Sequence, residues 1–156
     1  MEDAVRSGNL QSVITLYNNG TLTDVYTMLY AAAGGHLDIV IWLHENTNCT
    51  CPIQALEWSA EDGHFEVVKF LYDIRKIRKK ESVLIAMKTA AINRHYEIVG
   101  WLYAQELLCN DNTGLVSSIL NIPNLNLTID EGEQIRDLEN KLKNRSEEHT
   151  SELQSH

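Results

Sequence analysis

The sequence predicts an all-α solenoid, a one-layer stack of short helix pairs. Two observations lead there. One stretch of sequence recurs in a fixed register along most of the chain, and each copy reads as two short apolar-faced helices with a sharp break between them. A third observation removes the main competitor: no apolar run approaches the roughly 18–20 residues needed to cross a bilayer.

The recurrence is direct. Ala31-Ala32-Ala33-Gly34-Gly35-His36-Leu37-Asp38-Ile39-Val40-Ile41-Trp42-Leu43 returns as Ser59-Ala60-Glu61-Asp62-Gly63-His64-Phe65-Glu66-Val67-Val68-Lys69-Phe70-Leu71. It returns again from Ala90 to Leu102, and a weaker copy runs from Ala4 to Leu16. Along the register mark Asn9, His36, His64 and His95 the steps are 27, 28 and 31 residues. A period in this range is the signature of a repeat architecture.

Each copy explains itself locally. The first helix, over 24–33 or 53–61, carries small residues (Ala31, Ala32; Ser59, Ala60) where another helix can approach closely. Gly34-Gly35 ends it, since glycine tolerates a left-handed cap. The second helix presents Leu37, Ile39, Val40, Trp42 and Leu43 as a wide apolar stripe at helical spacing. Asp38, Glu66 and Glu97 fall in first turns, where a carboxylate suits the helix dipole. Helices this short do not stand alone in water. Stacked on their neighbours they do.

These residues resemble the ankyrin repeat, whose pattern T-P-L-H-x-A-A-x-x-G-H-L-E-V-V-K-x-L is matched best by Gly63-His64-Phe65-Glu66-Val67-Val68-Lys69-Phe70-Leu71. His36-Leu37-Asp38-Ile39-Val40-Ile41-Trp42-Leu43-His44-Glu45 is similar to the shortened form found in amoebal giant viruses, oomycetes and amoebae. The resemblance covers residues 1–108, divided near 1–22, 23–50, 51–80 and 81–108. The T-P-L-H start is replaced by Tyr26-Thr27-Met28-Leu29, Gln54-Ala55-Leu56-Glu57 and Ile85-Ala86-Met87-Lys88, and the steps fall short of the family's roughly 33 residues. Short loops are therefore expected in place of projecting β-turn fingers.

Beyond Asn110 the pattern fades. Residues 109–144 are expected to form a divergent or truncated terminal repeat, with a first helix over 113–120 and a capping helix opened by Thr128 and Glu131 and lined by Ile135, Leu138 and Leu142. Residues 145–156 (RSEEHTSELQSH) look like a translated sequencing adapter and are set aside, which implies that the natural C-terminus and further repeats lie elsewhere. Without them, 12 basic and 19 acidic side chains leave a net charge of −7, against −9 for the full 156 residues.

Composition excludes several function classes. An acidic chain lacks the basic surface a nucleic-acid binder needs. No secretory signal precedes the repeats, so the cytoplasm is the expected compartment. Three cysteines, Cys49, Cys51 and Cys109, are too few for a disulfide framework. No glycine-rich phosphate loop, G-x-S-x-G or H-E-x-x-H is present, and no enzyme or cofactor is implied.

Four features invite chemistry and are read plainly. His36, His64 and His95 stand one per repeat, about 8–10 Å apart if helices pack normally. Ligands of one zinc ion lie about 2.0–2.1 Å from it, so the histidines read as structural. Cys49-x-Cys51 near His44 lacks a second close pair. Trp42, Phe70 and Trp101 share a register within an apolar stripe and read as a packing ladder rather than a base-stacking platform. Arg75-Lys76-Ile77-Arg78-Lys79-Lys80, the one basic cluster, reads as a solvated inter-repeat connection, with contact to an acidic partner or nuclear import as the functional reading.

By the resemblance, the two variable positions before each Gly-His pair face a concave groove. They are Arg6 and Ser7, Ala33 and Gly34, Glu61 and Asp62, and Ile92 and Asn93, joined by Glu57 and Lys88 from the first helices. The set runs from basic to small to acidic to mixed, so the groove centre suits a basic segment of a protein partner. The expected function is a monomeric, non-catalytic protein-interaction scaffold. Two alternatives are a substrate-recruiting adapter portion of a larger protein, whose C-terminal effector motif is missing from this chain, and a metal- or redox-responsive protein using the cysteines.

Overall fold

The computed structural model describes residues 1–75 and 80–109 together with Arg136, Asp137 and Asn140. The helix expected over 113–120, the middle of the basic run and the adapter-like tail lie outside the described residues, as does the capping helix expected after Thr128 apart from Arg136, Asp137 and Asn140, which are helical. Within residues 1–109 the described residues form eight helices in chain order: α1 (Glu2–Arg6), α2 (Leu10–Asn18), α3 (Val25–Ala33), α4 (Leu37–Asn46), α5 (Ile53–Glu61), α6 (Phe65–Arg75), α7 (Lys80–Ile92) and α8 (Tyr96–Cys109). Among the described residues there is no strand. The links from Asn19 to Asp24 and from Thr47 to Pro52 are short and irregular, without a β-hairpin.

Odd and even helices pack as antiparallel pairs, α1 on α2 through α7 on α8. The odd helices also contact one another in a row, α1–α3–α5–α7, and the even helices do the same, α2–α4–α6–α8. The small residues do what their spacing predicts. Ala31, Ala32, Ser59, Ala60, Ala90 and Ala91 are fully buried on the odd row and let those helices close together. Ile39, Val40 and Leu43, then Val67, Val68 and Leu71, then Ile98, Val99 and Leu102 bury the inward stripe of the even row. Each such side chain contributes about 1.5–3 kcal/mol against exposure. Trp42, Phe70 and Trp101 are half-buried against this core. They link neighbouring even helices edge-on: Tyr17 with Trp42 at 5.3 Å, His44 with Phe70 at 6.0 Å, and Tyr72 with Trp101 at 5.3 Å.

Each odd helix ends in the same way. The N–H of Asn9, His36, His64 and His95 reaches back to the carbonyl of Ala4, Ala31, Ser59 and Ala90 at 2.8–3.0 Å. Together with Gly35 N–H on Ala32 O at 3.2 Å, this is a Schellman cap, whose turning residue is left-handed. The turning residue is Gly35 (φ +71°), with Gly8 and Gly63 in the same place. Of the expected Gly34-Gly35 pair only Gly35 is left-handed. Gly34 is right-handed at φ −78°, as Ser7 is at −81°, so its conformation does not call for glycine.

Candidate functional site

Because every odd helix closes with one cap at one register, the last turns of all four arrive at the same edge of the row. Arg6, Ala33, Glu61 and Ile92 are the final residues of α1, α3, α5 and α7. Ser7, Gly34 and Asp62 are the caps that follow, and Asn93 holds that place after α7. Ile92 is 55% exposed; Arg6, Ser7, Gly34, Glu61, Asp62 and Asn93 are exposed as well, whereas Ala33, Glu57 and Lys88 are half-buried.

The histidines hold this edge in place. His36 Nε2 lies 3.2 Å from the carbonyl of Arg6, and His64 Nε2 lies 2.8 Å from that of Ala33. A carbonyl only accepts, so Nε2 carries the proton. Each ring thus caps a helix-terminal carbonyl that its own helix leaves unsatisfied. The rings lie in space that glycine leaves open. A β-carbon on Gly8 would fall 2.6 Å from His36 Cε1, and one on Gly63 would fall 2.5 Å from His95 Cε1. This Gly–His ladder is what sets the backbone of the candidate residues from one repeat to the next.

Two predicted residues make side-chain contacts nearby, one to side chains and one to a backbone carbonyl. Arg6 donates from Nε to Glu2 Oε1 at 2.9 Å, and its guanidinium carbon stands 3.9 Å from the centre of the Tyr30 ring on α3. The bond to Glu2 chiefly, with a smaller contribution from Tyr30, raises the Arg6 pKa above its ordinary value. Asn93 Nδ2 donates to Thr89 O at 3.0 Å, fastening the end of α7. Glu61 and Asp62 form no ion pair among the described residues.

The structure adds aromatic residues that the sequence reading passed over. Tyr26 is 56% exposed and Trp58 36% exposed. Tyr30 is half-buried and stacks with Tyr26, ring centres 6.4 Å apart. Tyr30 and Trp58 stand four residues before Gly34 and Asp62, so each shares a helix face with a predicted groove position. Counting one turn back from each predicted pair would have found them. Ile85, 41% exposed, extends the apolar character onto α7.

Cys49 is structural in its contacts. Cys49 Sγ donates to the carbonyl of Asp24 at 2.9 Å, tying the α4–α5 link to the start of α3. Burial pushes the Cys49 thiol pKa up, which disfavours the reactive thiolate. Among the described residues no three His, Cys, Asp or Glu side chains converge as metal ligands.

A family model of ankyrin repeats matches residues 1–81 and 28–114. Comparison with curated proteins and with solved structures gave no match. Repeat register, Gly–His ladder and sequence family agree over the same stretch, and the chain belongs to the ankyrin-repeat family.

Proposed function

We propose that the chain is a non-catalytic protein-interaction module whose odd-helix face receives a basic segment of a protein partner. Ankyrin repeats mediate protein–protein interaction, and no enzyme family is indicated for this chain. The observation that carries the finer reading is the end of α5, where Glu61 and Asp62 stand exposed beside Trp58 without an ion-pair partner among the described residues. The carbonyl end of a helix adds its own partial negative charge at that point. Exposed aromatic residues beside a charged rim are the composition of an interaction surface.

Charges at such a rim act on association rate and salt dependence as well as on affinity. The test is capture from a eukaryotic lysate with the wild-type chain, with Glu61→Lys plus Asp62→Lys, and with Lys79→Glu plus Lys80→Glu, each first checked for helicity. The groove variant is expected to lose or exchange its partners, with affinity falling tenfold or more, equivalent to about 1.4 kcal/mol. The connection variant is expected to keep them. Loss in the connection variant with an unchanged groove variant would move the site to the basic run.

A further inference from the structure

The odd-helix face already holds one guanidinium of its own. Arg6, the last residue of α1, lays its guanidinium on the ring of Tyr30, the aromatic of the next odd helix, while Glu2 takes its Nε–H. One step along the stack the same positions recur with a different outcome. Ala33 is the last residue of α3 and stands where Arg6 stood, and Trp58 on α5 stands where Tyr30 stood. Alanine does not reach. No ring and no cation packs on Trp58 among the described residues.

From this repeat we infer that Trp58 forms, with Glu61 and Asp62, a subsite for one arginine side chain of a protein partner. It takes from outside what Tyr30 takes from Arg6. The reasoning rests on the groove reading above and deepens it by naming the group received. Indole is the strongest of the aromatic faces for a cation. Glu61 and Asp62 lie three and four residues beyond Trp58, so all three share a helix face. The α5 C-terminus adds its dipole to their charge. Arginine is favoured over lysine because a flat guanidinium stacks on a ring while donating in its own plane to carboxylates. A lysine ammonium cannot do both.

The experiment uses the full chain labelled with 15N and follows its tryptophan indole signals, of which there are three (Trp42, Trp58, Trp101). Trp58→Phe assigns the signal of interest, and the other two report that the fold is intact. The probe is a blocked Gly/Ser peptide carrying two arginines, with a matched peptide carrying glutamine in their place. The Trp58 signal is expected to shift saturably with the arginine peptide and not with the glutamine peptide. Ala33→Arg is expected to shift that signal with no peptide present and to weaken the peptide at least fivefold, whereas Ala33→Gln does neither.

A Trp58 signal that stays in place at millimolar arginine peptide, or that responds equally to both peptides, overturns the subsite. So does an Ala33→Arg chain whose Trp58 signal and peptide affinity match wild type. In the lysate capture, partners lost by the Glu61→Lys, Asp62→Lys variant but kept by Ala33→Arg overturn the subsite alone. Partners kept by both overturn the groove reading with it.

Discussion

Gly35 meets two demands at once. Its φ of +71° is a conformation in which a β-carbon costs about 1–2 kcal/mol, and the imidazole of His64 occupies the place that β-carbon would take. The Gly-His pair was legible in the sequence as a helix break. That the glycine makes room for the histidine of the following repeat was not, because that contact joins positions a full repeat apart. Arg94 separates the two demands. It holds the same left-handed place at φ +66°, the only non-glycine residue to do so among those described, and no histidine occurs between His95 and His149. At Arg94 the backbone cost of the left-handed turn is present without a following histidine. Gly35→Ala is therefore expected to destabilise the protein by more than the roughly 1–2 kcal/mol of backbone strain alone. Arg94→Gly is expected to stay within about 1 kcal/mol of wild type, strain relief being offset by the entropy glycine loses on folding and by the loss of the arginine side chain. Urea denaturation of both variants measures this; equal and opposite shifts would show that the ring contact with His64 counts for nothing.

Helix α3 shows how an element's start is fixed as firmly as its end. Asp24 Oδ1 accepts from Thr27 N–H at 2.9 Å, and Thr27 Oγ1 accepts from Asp24 N–H at 3.1 Å, a reciprocal capping box. The sequence pattern placed the first helix over 24–33. In the structure it runs from Val25, with Asp24 outside as cap, because the Asp24 side chain satisfies an N–H that the helix itself leaves open. The box was not read from the sequence, since its second member is a threonine rather than the usual Glu or Gln. The hydrogen bonds from Thr27, backbone first and side chain second, hold the Asp24 carboxyl below its ordinary pKa of 3.8. A depressed carboxylate pKa stabilises the fold above the unfolded value, and that stability is lost as pH falls through the folded one. Asp24→Ala is expected to cost about 0.5–2 kcal/mol at pH 7. The gap to wild type is expected to narrow as pH drops below 3.8. Denaturation curves at pH 7 and at pH 2.5 check this, and an undiminished gap at the lower pH would assign the loss to packing instead of the cap.

For the molecule as a whole, the periodicity carried the architecture because one register serves every level: small residues close the odd row, the cap turns the chain, and the even stripe fills the core. The interaction face was only half legible. Positions could be counted from the Gly-His mark, but Trp58 lies among Ala55, Leu56, Ser59 and Ala60, all buried, and its residue type alone does not separate it from tryptophans packed against the core such as Trp42. Exposure decides that, and exposure belongs to the stack. The stack also sets how stability is shared, since in a linear array each repeat is held by its own packing and by its neighbours. Val68 and Val5 are both fully buried. Val68 lies on α6, with α4 on one side and α8 on the other, while Val5 lies on α1, which has an odd neighbour only in α3. The same deletion should therefore act differently at the two places. Val68→Ala is expected to lower the main unfolding transition, with Leu71→Ala doing so more strongly, by about 2–5 kcal/mol. Val5→Ala is expected to fray α1 and α2 while leaving the main transition less affected, visible as faster amide exchange confined to those helices. Hydrogen exchange on both valine variants distinguishes the cases. Uniform loss of protection across all eight helices in Val5→Ala would show a single all-or-none unit, and a change below about 0.5 kcal/mol in Leu71→Ala would place that side chain at the surface rather than in the core.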